Sequence, residues 1–167
     1  TEDERQRTAE LIRPILRGRD IKRYGYNWDN LWLINTHNGI KGVKPRININ
    51  EYSAVKAYLD QHWDKISKRA DKGDTPYNLR NCAYMEDFYK PKIVWGNLNL
   101  SAAYSIAADG IFVNAPCPMI VPASKYLLAI LNSKVADYYI RQLGVTRNGG
   151  YFEYKPMFVE NLPVPNN

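Results

Sequence analysis

The middle third of the chain fixes the fold class. Between two stretches of helical periodicity lie short apolar runs at Lys92 to Trp95, Ala103 to Ala107 and Ile111 to Val113, each three to five residues long and flanked by turn formers. Runs of that length with β-branched and aromatic side chains suit strands and are too short for helices. Met119-Ile120-Val121 supplies a further strand candidate, and Asp109-Gly110, between the second run and the third, is a pair that favours a hairpin turn. The flanking helical stretches must pack on the sheet these runs form. The expected fold is α+β, with a mixed, mostly antiparallel sheet, helices packed on it and a single domain.

Glu2 to Ile12 reads as a charged helix stopped by Pro14, because the residue before a proline is pushed out of the helical region. Asn30 to Asn35 is apolar and bounded by turn formers, which predicts a buried strand, and His37-Asn38-Gly39 then turns the chain. Val55, Leu59, Trp63 and Ile66 recur at helical spacing, so one helix is predicted over roughly Glu51 to Lys72, with Trp63 in the core and Gly73 as the stop. His62 beside that stripe receives no role. Leu127, Leu128, Leu131, Val135 and Tyr138 repeat the pattern over Ser124 to Leu143, opened by Ser124 and divided where Asn132-Ser133 could cap a second helix. Arg147 to Tyr151 reads as a flexible basic loop, and Leu162-Pro163-Val164-Pro165 as an extended tail.

Charge is unevenly placed. Arg13, Arg17, Arg19, Lys22 and Arg23 put five cations within eleven positions, threaded with Ile15, Leu16, Ile21 and Tyr24. A merely solvated run has no need of those apolar residues, so the segment reads as pinned to a core with its cations turned outward toward a polyanion. The net charge of +6 agrees, and thirteen tyrosines and four tryptophans keep nucleic acid and carbohydrate both open as partners. Cys82 and Cys117 lack metal-ligand spacing and are expected to be reduced thiols of a cytoplasmic protein. No apolar run approaches the length of a bilayer span, so no membrane partner is expected. The chain opens without Met or a signal peptide, which suggests a piece of a longer protein.

Catalytic patterns are weak. Asp74-Thr75-Pro76-Tyr77 approaches the Asp/Asn-Pro-Pro-aromatic loop of adenine amino-methyltransferases, but Thr stands at the second position and no glycine-rich cofactor turn precedes it, so a proline turn is expected. Glu153-Tyr154-Lys155 with Asp137 could serve a metal-dependent nuclease, although Asp137 falls inside a helical stretch and not on a strand. No catalytic residue and no metal ligand is assigned. What remains is positive charge on loops beside amides. Arg17, Arg19, Lys22 and Arg23 are assigned to the phosphate backbone of double-stranded DNA. Lys41, Lys44, Arg46, Asn78, Arg80, Asn97, Asn99, Arg147 and Asn148 are candidate base readers, since arginine matches guanine and asparagine matches adenine in the major groove.

Five patches in order resemble the TaqI-like C-terminal specificity domain: Ile12 to Tyr24, Tyr77-Asn78-Leu79-Arg80-Asn81-Cys82, Phe88 to Trp95, Tyr126 to Lys134, and Leu162-Pro163-Val164-Pro165. The resemblance implies a target-recognition domain over residues 13–167, with residues 1–12 as a helical lead-in from an upstream methyltransferase domain of the same polypeptide. It also implies that the parent uses S-adenosylmethionine to methylate adenine in a restriction-modification system, in some members with a fused endonuclease, while this chain is non-catalytic by itself. The alternatives are a self-contained nuclease and a protein- or carbohydrate-binding module.

Overall fold

The computed structural model describes residues 1–166; Asn167, the last residue of the expected recognition domain, lies outside the described residues. In chain order the first elements are α1 (Glu2–Leu11), β1 (Ile12–Leu16), β2 (Ile21–Lys22), β3 (Gly25–Tyr26), β4 (Trp32–Ile34), α2 (Ser53–Asp60) and α3 (Trp63–Ile66). Then follow β5 (Lys92–Trp95), β6 (Leu98–Asn99), β7 (Tyr104–Ala107), β8 (Phe112–Val113) and β9 (Met119–Ile120). The last are α4 (Lys125–Leu131), α5 (Lys134–Gln142), β10 (Phe152–Glu153) and α6 (Pro156–Val159). The fold is α+β, with mostly antiparallel strand pairs.

Two compact units result. One comprises Thr1–Arg13 and Trp32–Met85; the other comprises Pro14–Leu31 and the chain from Glu86 onward. The larger unit is built on β5, whose four residues are all buried. β7 and β9 flank it antiparallel, Val94 facing Ser105 on one side and Met119 on the other. Ile93, Trp95, Tyr104, Leu131, Ile140, Phe152 and Tyr154 close the core. Trp95 Nε1 donates to the Tyr154 carbonyl at 2.7 Å, which satisfies the one polar atom of a ring that is 2% exposed. Ser124 and Ser133 cap α4 and α5, accepting from the N–H groups of Leu127 and Ala136, so the predicted division at Asn132-Ser133 is the real one.

Asp109-Gly110 does turn the chain, with Gly110 at φ +76°, but no hairpin follows. β7 runs along β5, whereas β8 pairs in parallel with β1, Ile15 opposite Phe112 and Leu16 opposite Val113. Ahead of the tail lies a short helix to which the sequence reading assigned no element: Pro156 sits at the first helical turn of α6, where a missing N–H costs nothing.

The smaller unit departs further from expectation. The helix over 51–72 is broken into one 3-10 turn, Ile49–Glu51, and the short α2 and α3. Of the predicted stripe only Val55 is buried; Trp63 is 43% exposed and lies against the Tyr77 ring at 5.4 Å between centroids. Trp63 is therefore not a core residue, and a stripe with one buried position offers no continuous apolar face to hold a single helix straight. Likewise β4 spans only Trp32–Ile34 and is not buried. Buried polar groups do much of the holding here: Thr36 Oγ1 donates to the Tyr77 carbonyl at 2.6 Å, and Asn78 Nδ2 donates to the carbonyls of His37 and Ile47.

Candidate nucleic-acid interface

In the larger unit the basic stretch folds around one 3-10 turn, Gly18–Asp20. Asp20, 5% exposed, accepts from the Arg17 N–H at 2.8 Å, from Arg17 Nε at 3.0 Å and from Nη2 at 2.9 Å, and the same guanidinium reaches Asp29. The Arg17 side chain holds the Asp20 carboxyl below the usual carboxylate range, and the two carboxylates raise the Arg17 guanidinium in turn. Asp20 thus pairs with Arg17 and not with Arg19 or Arg23. Arg17, expected at the phosphates, is a brace whose charge is already answered by two carboxylates. Braced in this way, the turn leaves Arg19 exposed, with no hydrogen-bonded partner for its guanidinium among the described residues. Lys22 Nζ donates to the Arg19 carbonyl at 2.7 Å. β2 and β3 form a hairpin, and Tyr24 at its tip has φ +65°. Arg23 donates to the Asn132 carbonyl at 2.9 Å and lies 5.2 Å from the Tyr24 ring centroid.

The facing wall is the turn from β5 into β6. It approaches the basic turn so closely that a Cβ on Gly96 would stand 2.9 Å from the Gly18 carbonyl and 3.1 Å from its Cα. Three further bonds fix the segment: Asn99 Nδ2 to the Gly96 carbonyl at 2.7 Å, the Tyr154 N–H to the Asn97 carbonyl at 2.7 Å, and Arg141 to the Leu100 carbonyl. Between the two walls runs an open groove of about 650 Å³ lined by Arg19, Lys22, Arg23, Asn97, Asn99 and Tyr151. Three phosphate candidates and two base-reading candidates therefore meet in one concavity. The Asn97 amide has no hydrogen-bonded partner among the described residues, whereas that of Asn99 is committed to Gly96.

Lys41, Lys44 and Arg46 line a second open concavity, of about 970 Å³, within the smaller unit. Gly39 at φ +77° and the Ile40–Lys44 bridge shape its loop. Arg46 pairs with Asp74 at 3.0 Å, and Asn38 and Arg46 together hold the Asp74 carboxyl below its usual range. Asn78 is 1% exposed, with its amide donating inward and its Oδ1 accepting from Thr75 at 2.6 Å. It fastens loops and presents nothing to a base, which corrects its assignment as a reader. Arg80 faces Asp71 at 3.4 Å. In the larger unit Arg147 pairs with Glu153 at 2.9 Å and Asn148 is exposed beside it.

The other chemistry is spoken for. Lys155 and Arg147 both hold Glu153, whose carboxyl they depress, and Asp137 accepts from the Tyr154 hydroxyl at 2.7 Å and from Arg141 at 3.3 Å. No group of three or more His, Cys, Asp or Glu that could hold a metal ion occurs among the described residues. Tyr77 donates to Asp60 at 2.6 Å, so Asp74 to Tyr77 is a structural turn. Sequence reasoning passed over Leu98, Leu100 and Tyr151, which line the groove and are 52%, 57% and 41% exposed. The legible signal was the Asn-Leu-Asn-Leu alternation over 97–100.

Comparison with known proteins places these features in context. The profile of the TaqI-like C-terminal specificity domain matches residues 13–164. The type II methyltransferase M.BstVI of Geobacillus stearothermophilus is 23% identical over 164 residues, 94% of this chain and 28% of that protein. The type II methyltransferase M.BanIII of Aneurinibacillus aneurinilyticus is 22% identical over 159 residues, 89% of this chain and 27% of that protein. The chain thus spans under a third of the length of these relatives.

Proposed function

The chain belongs to the family of TaqI-like C-terminal specificity domains, and from that premise we propose that it is the DNA target-recognition module of a restriction-modification adenine methyltransferase. The observation that carries the reading is the groove of the larger unit, which Arg19, Lys22 and Asn97 line together. Cations hold the duplex in register through its phosphates, and an amide facing the same space can meet adenine N6 and N7. The relatives' names support the methyltransferase context.

Among the described residues no strand, glycine-rich turn and helix follow one another with an acidic residue after them, the arrangement that holds such nucleoside cofactors as S-adenosylmethionine. In this proposal the cofactor, the methyl transfer and any fused endonuclease belong to the remainder of the polypeptide, in the cytoplasm. Titration of a labelled duplex at two salt concentrations tests the reading. Weak binding that falls steeply with salt is expected, because phosphate neutralisation releases counterions; affinity indifferent to salt would overturn it. Plasmid incubated with the chain and magnesium should remain intact.

A further inference from the structure

The alternation over Asn97 to Leu100 puts two leucines, more than half exposed, at the mouth of a basic groove. Scattered exposed leucines need no explanation, but these two sit on a segment tied down at Asn97, Asn99 and Leu100, with β6 paired to β10, Leu98 opposite Glu153. The ties use the backbone and one asparagine amide, and among the described residues neither leucine belongs to the core cluster or packs against it. Apolar tips held rigidly beside Arg19, Lys22 and an uncommitted amide match one feature of duplex DNA, the thymine C5-methyl, which stands in the major groove next to the adenine edge that an asparagine can take.

We propose that Asn97, Leu98 and Leu100 form an edge that reads A·T pairs, the leucines covering thymine methyls and Asn97 meeting adenine, with Asn99 as the positioning residue. This rests on the DNA-recognition reading above. Preorganisation favours the role, since no loop has to be ordered on binding.

The experiment is selection of bound duplexes from a random pool by the chain, followed by titration of the selected duplex made with thymine or with deoxyuridine, which lacks only the methyl. Wild type should select A·T pairs and prefer thymine by about fourfold for each methyl contacted. Leu98→Ala/Leu100→Ala should bring that ratio close to one, while Leu98→Met/Leu100→Met keeps it, and matching thermal melts show that all three are folded. Equal affinity of wild type for both duplexes, or a ratio preserved in the alanine variant, overturns the methyl reading and leaves DNA recognition standing. Failure of wild type to capture any duplex overturns both.

Discussion

Lys92 is fully buried in β5, and its ammonium donates to the carbonyls of Phe88, Lys90 and Ala108 at 2.8, 3.3 and 2.9 Å. Replacing it by Met leaves those acceptors unmet in a dry site, at an expected cost of about 3 kcal/mol in urea unfolding. Burial pushes the ammonium down to about 8, with Asp109 opposing. An unfolded lysine titrates near 10.4, so the native chain loses its proton first and stability should climb from about pH 8 to 10. Lys92→Met should lack that climb. Above about pH 10 the trend reverses, because burial raises the phenols of Tyr104 and Tyr154 and only the unfolded chain ionises there. Asn78 and Asn97 show what residue type alone conceals. Both are asparagines in predicted loops, and only the carbonyls of His37 and Ile47, brought in by tertiary folding, turn the first into a fastener. Asn78→Ala should cost roughly 2–3 kcal/mol of stability. Asn97→Ala should fall within about 0.5 kcal/mol of wild type while lowering duplex affinity.

Elements with local signals were legible in the sequence: serine caps on α4 and α5, the apolar β5, the proline stop after α1. Features fixed by partners distant in sequence were not. The pairing of β8 with β1 joins segments some hundred residues apart, and nothing near Asp109-Gly110 competes visibly with a hairpin. Tyr24 at positive φ hid the β2–β3 turn, because sequence rules look there for glycine or asparagine. The approach of Gly18 to Gly96 is equally nonlocal. Gly96→Ala forces a methyl against backbone on the opposite wall, and backbone cannot swing aside as a flexible side chain would. We expect a loss of about 1–3 kcal/mol, read by thermal or urea melts, and weaker duplex binding as the walls part.

Across the molecule the count of 23 lysines and arginines overstates what a polyanion meets, since Arg17, Arg46, Arg80 and Arg147 already face carboxylates. Arg19→Ala/Lys22→Ala should therefore reduce the slope of log affinity against log salt by about 2. Arg17→Ala should leave the slope unchanged and instead lower the melting temperature, by releasing the turn it braces. The composition pointed to an acidic partner, but only the fold separates cations that brace the chain from cations left open to such a partner. The ties that hold 97–100 have a further consequence. They pass through the backbone, the β6–β10 pairing included, and through one side chain, that of Asn99, so the side chains at 97, 98 and 100 can be exchanged without loosening the frame. On the proposed reading the segment is a replaceable cassette, in which a new target site could be written while the domain beneath it stays the same.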